Sequence, residues 1–322
     1  MVQKISILFA GHFAIDTIIR FKEEFGPNIG GSVSYCSLAL NKYTSNVNIC
    51  IISNIGRSNF DKSLLDSFKK TKINLEGIKW SETKNTHFIL DYFDHNRTLT
   101  LKSKSPNLLF EDIPKKFIDE HPNAIVLVPL CNEISIDYVK DILNNFPNTY
   151  IGIDLQGFIR SFDENGKLFL DKDGIILSNI NMIIDIIGDK LILKGSEEEM
   201  KMLSGQQDLY KVMEYFNDIR FKGISIMTLG EKGSMITQHG KNLLVVPAFK
   251  PDKVADETGA GDVYMAIFLY EFLISDKSWQ AISEAGYLAS VAASFLVEKK
   301  GPDGFETKQR VLERLNKKEY IT

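Results

Sequence analysis

Cysteine, excess basic charge and long apolar runs are all scarce in this 322-residue chain, and each scarcity removes a class of function. Cys36, Cys50 and Cys131 make an odd total with no CxxC pair, so neither a disulfide scaffold nor a cysteine-based zinc site is indicated. Each lies among apolar or small residues, as a buried reduced thiol does, and the expected location is the cytoplasm. Lys and Arg number 38 against 42 Asp and Glu, a formal net charge of -4, which gives nucleic acid no electrostatic footprint. The opening MVQKISILFAG holds one Lys and about six apolar residues, too few for a signal peptide or a membrane span, and it reads as a first buried strand. The familiar phosphate motifs are missing too. There is no GxxxxGK[ST], neither HRD nor DFG occurs, and GAGDVY puts Tyr264 where GxGxxG needs its third glycine. A dehydrogenase would also carry its glycine turn after the first strand, not near the end of the chain. No internal repeat or low-complexity tract is found.

What the chain does have is a series of short Ile- and Val-rich runs: ISILFA (5–10), VNICIIS (47–53), AIVLVP (124–129), TYIGIDL (149–155), LILK (191–194) and GISIMTL (223–229). They are continuous rather than alternating, as parallel strands covered on both faces are. Helix-like segments separate them, among them SVSYCSLALNKY, FDKSLLDSFKK, SIDYVKDILNNF, SEEEMKMLSG and DLYKVMEYFNDI. This order predicts a doubly wound α/β fold, a mostly parallel sheet with helices on both faces, in a single domain over 1–322. Residues 73–103 break the alternation with shorter strand-like runs around a DHNR turn, and 17–31 is a second non-helical insert. Together they predict a small β lid built from parts of 17–31 and 73–103, whose strand edges offer a route to a homodimer.

The densest signal is DETGAGD, Asp256 to Asp262, running straight into the apolar VYMAIFLYEFL. A helix N-terminus presents unpaired N–H groups and a partial positive charge, so Gly259, Ala260 and Gly261 leave room for an anion to reach the backbone. A carboxylate beside an anion site is unfavourable unless it acts there, and taking a proton from an attacking hydroxyl is such an action for Asp262. No dedicated metal site is expected. His12 with Asp16, and Asp91, Asp94 and His95, lack convergent ligands at recognisable spacing, and DHN is good turn chemistry.

With these residues the chain resembles the ribokinase-like (PfkB) carbohydrate kinases along nearly its whole length. The family pattern D-T-T-G-A-G-D is matched except at Glu257, where only the local turn is expected to change. The resemblance implies that Asp262 is the general base and that the amides of Gly259, Ala260 and Gly261 form the anion hole for the transferred phosphoryl. It assigns Asp16 in GHFAID, Gly30 and Gly31, and Gln156 of DLQGFIR to the acceptor. It assigns Arg160, Thr258, Thr228, Gly230 and Gly233 of TLGEKG, and Lys194 and Glu199 of LKGSEEE to ATP, with Ser196 standing where the family has Asn. The implied cofactor is Mg2+ arriving with ATP, with Glu199 acting through water and no direct protein ligand. The small-residue helix 281–296, with Ala281, Ala285, Ala289 and Ala292 aligned, corresponds to the region that lines the family's adenine slot, and a purely structural seam explains the stripe equally well.

The partners implied are ATP and a small polyhydroxylated acceptor, with no membrane and no nucleic acid. GGSVSYCS places Tyr35 and Ser37 at the positions that distinguish ribokinases, so ribose is disfavoured, and the motif set is most similar to the archaeal and plant branch that includes myo-inositol kinases. The alternative is a nucleoside kinase of the same family, in which Phe88, Tyr92 and Phe93 would stack a base. A non-catalytic nucleotide-binding protein is the reading that retention of Asp262 and the GAG loop argues against.

Overall fold

The computed structural model describes residues 4–93, 96–170, 174–218 and 221–321. Its strands run, in chain order, β1 (Ile5–Ala10), β2 (Ala14–Arg20), β3 (Glu23–Gly30), β4 (Val47–Gly56), β5 (Asn74–Ser81), β6 (His87–Phe93), β7 (Asn96–Ser103), β8 (Ala124–Leu127), β9 (Tyr150–Asp154), β10 (Arg160–Phe162), β11 (Leu168–Leu170), β12 (Leu191–Ser196), β13 (Ile224–Thr228), β14 (Ser234–Gln238) and β15 (Leu244–Val246). Nine form one sheet in the order β15-β14-β13-β12-β9-β8-β1-β4-β5, parallel from β13 to β5, with β14 and β15 antiparallel at one edge.

The continuous apolar runs are explained by the two layers that cover this sheet. Ile7 and Phe9 of β1 point into a core with the helices Ser32–Tyr43, Ala260–Ile274 and Trp279–Leu296, while Leu8 and Ala10 point into a second core with Ile136–Asn145, Glu197–Ser204 and Leu209–Phe216. Alternate residues of one strand thus bury against opposite layers, and neither face tolerates a polar set. The doubly wound expectation holds. Among the described residues no helix is long and apolar enough to cross a membrane.

A separate four-stranded sheet, order β3-β2-β6-β7, stands off the main one. β2 and β6 pair in parallel, whereas β2 with β3 and β6 with β7 are antiparallel. Of the 73–103 region only β6 and β7 join it. β5 extends the main sheet beside β4 instead, because its register to β4 (Ile52 to Gly77, Gly56 to Ser81) continues the parallel ladder. FDKSLLDSFKK also departs from the single predicted helix: a 3-10 turn, Lys62–Leu65, capped by the Asp61 side chain, leads into the short Asp66–Lys69 helix.

Candidate active site

Chain order reverses in the main sheet between β1 and β8, and in open α/β sheets a ligand binds outside the strand carboxyl ends at such a point. Two adjoining cavities lie at strand carboxyl ends on the β8 side of that point, lined by Asp154 of β9, Ser196 of β12 and Thr228 of β13. One, of about 300 Å³, is walled by Ala14 and Asp16 of β2 and by Phe88, Leu90 and Leu99 from the small sheet. The other, of about 310 Å³, is lined by Ala248, Phe249, Pro251, Val254, Ala293 and Val297. They meet at Thr228, Glu257, Ala260 and Gly261.

The Ala260–Ile274 helix starts at this junction. Gly259 caps it at φ 85°, and a Cβ at that position would fall inside the Tyr35 ring, so only glycine closes the turn. The Ala260 N–H turns back to the Glu257 carbonyl at 3.2 Å, and Asp256 Oδ1 accepts the Thr258 N–H at 3.1 Å. Asp262 lies in the first helical turn, and its Oδ1 is buried without a hydrogen-bond partner among the described residues. Burial and, next, the charge of Asp154 push the Asp262 carboxyl up to about 7, against the pull of Lys194, the Ser32 hydroxyl and Arg160. That is the range in which a carboxylate serves as a base at neutral pH.

Asp154 and Lys194 are register neighbours at the ends of β9 and β12, which is why they form a buried ion pair at 2.8 Å. Burial opposes the Lys194 ammonium, yet Asp154 and Glu199 hold its pKa above the ordinary lysine range. Glu199 is itself raised, by burial and by Asp154. A capping box fixes it: Glu199 Oε2 accepts the Ser196 N–H at 2.7 Å and Ser196 Oγ accepts the Glu199 N–H at 3.4 Å. Ser and Asn are equally good N-caps, so Ser196 can replace the family's Asn in starting this helix. Gln156 bridges the other side. Its amide nitrogen donates to Ser32 Oγ at 3.1 Å, and its oxygen accepts from both Arg160 terminal nitrogens at 3.0 and 2.9 Å.

Asp16, Gly31, Gln156, Arg160, Lys194, Glu199, Thr228 and Thr258 therefore line the first cavity with residues 259–262, and Gly230 and Gly233 line the second. Gly30 lines neither, but a Cβ on it would land on the Asp16 carboxylate, so its contribution is the room it leaves. The alanine stripe itself follows the structural alternative. Ala285, Ala289 and Ala292 are buried in the core, and it is the neighbouring helix face, Ser290, Ala293 and Ser294, that reaches the second cavity. Tyr92 does not line either cavity; its hydroxyl meets Thr258 Oγ1 at 3.3 Å, joining the small sheet to the GAGD loop. The Phe93 side chain, Asp94 and His95 lie outside the described residues. Sequence reasoning passed over Asp154, although it opens DLQGFIR, and Ser32, which follows the diglycine. It also gave Glu257 only a turn role, whereas Glu257 lines both cavities.

Residues 177–308 match the profile of the pfkB family carbohydrate kinases, and the fold is that of the ribokinase family throughout. Over those residues the chain is similar to the pfkB family. Its fold is similar to that of a fructokinase from Vibrio cholerae O395 with fructose, ADP and calcium bound, at 16% identity and a TM-score of 0.76, over 97% of this chain and 99% of that one. A pyrophosphate-dependent kinase of the ribokinase family, complexed with a pyrophosphate analog and myo-inositol, is 20% identical with a TM-score of 0.74, over 95% and 99% of the two chains. In sequence, 137 residues are 32% identical to the nucleoside kinase of Methanocaldococcus jannaschii, a match that spans 42% of each protein. The GAGD loop and the capping-box helix both lie inside the pfkB match.

Proposed function

We propose that this protein is an ATP-dependent kinase that transfers the γ-phosphoryl to a hydroxyl of a small polyhydroxylated acceptor held in the first cavity. The observation that carries this reading is the position of Asp262, in the wall of the first cavity next to Gly261 where the two cavities meet, with one buried carboxylate oxygen unpartnered among the described residues and a pKa of about 7. Asp262 takes the acceptor proton as the oxygen attacks, and the N-terminal amides of its helix, with Lys194 beside Gly261, receive the charge on the transferred phosphoryl. The apolar lining of the second cavity suits a nucleoside base, which supports ATP over pyrophosphate as donor.

Magnesium fits this site on charge. Three carboxylates, Asp154, Glu199 and Asp262, share it with two cations, Lys194 and Arg160, and Asp154 Oδ1 is buried without a partner among the described residues. Asp154 and Glu199 would hold the ion through water, and when bound it neutralises phosphate charge. The small sheet serves as a lid, which keeps water from competing for the phosphoryl group.

For the acceptor, Asp16, Ser32 and Gln156 form a polar wall suited to hydroxyls, and a sugar or cyclitol such as myo-inositol is favoured. Phe88, Leu90, Leu99 and Leu130 add an apolar part to the same lining, and this observation favours a nucleoside as the second reading. An ATP-coupled screen of cyclitols, hexoses, pentoses and nucleosides separates them. The highest kcat/KM is expected with a neutral polyol, and a clear nucleoside preference would reverse the assignment.

The pH dependence follows from Asp262. The base must be ionised, so kcat/KM is expected to rise tenfold per pH unit below about 7 and to level above it. A rate that stays flat from pH 5 to 8 would contradict the assigned base.

A further inference from the structure

His12, Cys131 and Glu133 are buried with their possible metal ligands within 4.8 Å of one another, yet the proposed reaction uses none of them. Their hydrogen bonds argue against a metal. Glu133 accepts the backbone N–H groups of His12 (3.1 Å), Leu130 (2.9 Å) and Cys131 (2.8 Å). The His12 ring is occupied at both nitrogens. Nε2 faces the Pro106 carbonyl at 2.8 Å, which can only accept, so Nε2 carries the proton and Nδ1 accepts from Thr86 Oγ1 at 2.8 Å. Burial lowers the His12 pKa, in keeping with this neutral form.

The placement of these partners is what matters. Residues 11–13 carry the chain from β1 into the small sheet at β2, 82–86 carry it from β5 into β6, and 104–106 lead out of β7. His12, Thr86 and Pro106 stand one on each crossing. Further bonds lace the same three: Ser105 N–H to Thr86 Oγ1 (3.0 Å), Thr86 N–H to Ser105 Oγ (3.2 Å), and Asn85 Nδ2 to the Phe13 carbonyl (3.1 Å). Asn54, in main-sheet strand β4, donates to the carbonyls of Pro106 (3.3 Å) and Asn107 (2.8 Å). His12, Asn54, Asn85, Thr86, Ser105 and Glu133 are all at most 2% exposed. Beyond the clamp, Leu130 and Ala14 line the first cavity.

We infer that His12 and Glu133 are positioning residues for phosphoryl transfer: with Thr86 they clamp the chain crossings between main sheet and lid, and so fix the pivot on which the lid seats over the acceptor. Apart from Asn54 Oδ1, which has no partner among the described residues, the polar groups of this buried set bond one another; such a set is stiff, and removing one partner leaves another unpaired away from water. This inference rests on the kinase reading only for its effect on turnover; the effect on the lid itself can be observed without it.

Thr86→Val keeps the side-chain shape and deletes the hydroxyl that His12 and Ser105 share, and Thr86→Ser restores it. Hydrogen exchange followed by mass spectrometry on the full chain, with no ligand added, is expected to show lid segments 14–30 and 87–103 of Thr86→Val exchanging about tenfold faster, with β8 and β9 unchanged. In the coupled assay the acceptor KM and the share of ATP hydrolysed without transfer should rise together while the ATP KM stays put, and Thr86→Ser should behave as wild type. Equal acceleration across lid and main sheet, or a lowered melting temperature with unaltered acceptor KM and coupling, would reduce the cluster to scaffold and overturn the inference. If the wild type phosphorylates no acceptor, the functional reading fails, and the exchange contrast still decides the clamp. Should Thr86→Val not fold, Ser105→Ala removes two bonds of the same set, from the Thr86 N–H and to Asn85 Oδ1, and is read in the same way.

Discussion

Asp262→Asn is expected to lower kcat by about 10²- to 10⁴-fold, the range over which general-base catalysis contributes. The amide preserves the shape of the side chain in the first cavity but cannot take the acceptor proton. ATP and acceptor affinities should change far less, because the interaction lost belongs to the transition state. Single-turnover transfer with calorimetric ATP binding measures both. Stability supplies a second signature. The folded pKa of Asp262, about 7, lies above its ordinary value of 3.8, so the folded state binds the proton more tightly than the unfolded state. The carboxyl therefore disfavours the fold progressively as pH rises from about 4 through about 7. Asp262→Asn, free of that cost, should melt no lower than wild type at pH 8. A folded variant that transfers at the wild-type rate would leave Asp262 as a first-turn helix residue and end the proposed mechanism.

Lys194→Met is expected to act on folding before chemistry. Lys194 and Asp154 form their 2.8 Å pair at 5% and 3% side-chain exposure, with Glu199 and Asp262 also nearby. Removing the ammonium leaves buried carboxylates without their main counter-ion, and breaking such a pair from one side typically costs about 3–5 kcal/mol. Urea unfolding should show a loss of that size at pH 8 and a smaller one at pH 5, where Glu199 and Asp262, both with raised pKa values, take up protons. The double variant Asp154→Asn/Lys194→Met should recover part of it. A single variant as stable as wild type at pH 8 would show that the pair carries little weight in the fold.

Strands and the GAGD junction were legible because their signals are local. A parallel strand covered on both sides must be apolar at every position, as ISILFA and AIVLVP are, and an anion-binding turn must be made of residues that expose backbone, as GAG is. Elements whose signal is ambiguous were not. GIILSNINMIIDII folds as the Gly174–Ile187 helix, although its isoleucine density fits a strand equally well over short windows. β5 sits in the flap-like region by sequence, and only its hydrogen bonds to β4 assign it to the main sheet.

The sequence by itself determined the α/β class, the places of six main-sheet strands along the chain, the small separate sheet and the residues at the head of the Ala260–Ile274 helix. Periodicity, turn chemistry and helix-terminus electrostatics act over a few residues and are written where they act. Only the tertiary structure decided that Asp154 faces Lys194 and Asp262, that Gln156 joins Ser32 to Arg160, that Glu257 lines both cavities, and that His12, Thr86 and Pro106 meet at one point. Those relations join residues tens to hundreds of positions apart. Sheet order and register bring such residues together, and the shared burial that shifts their pKa values exists only after the layers have packed.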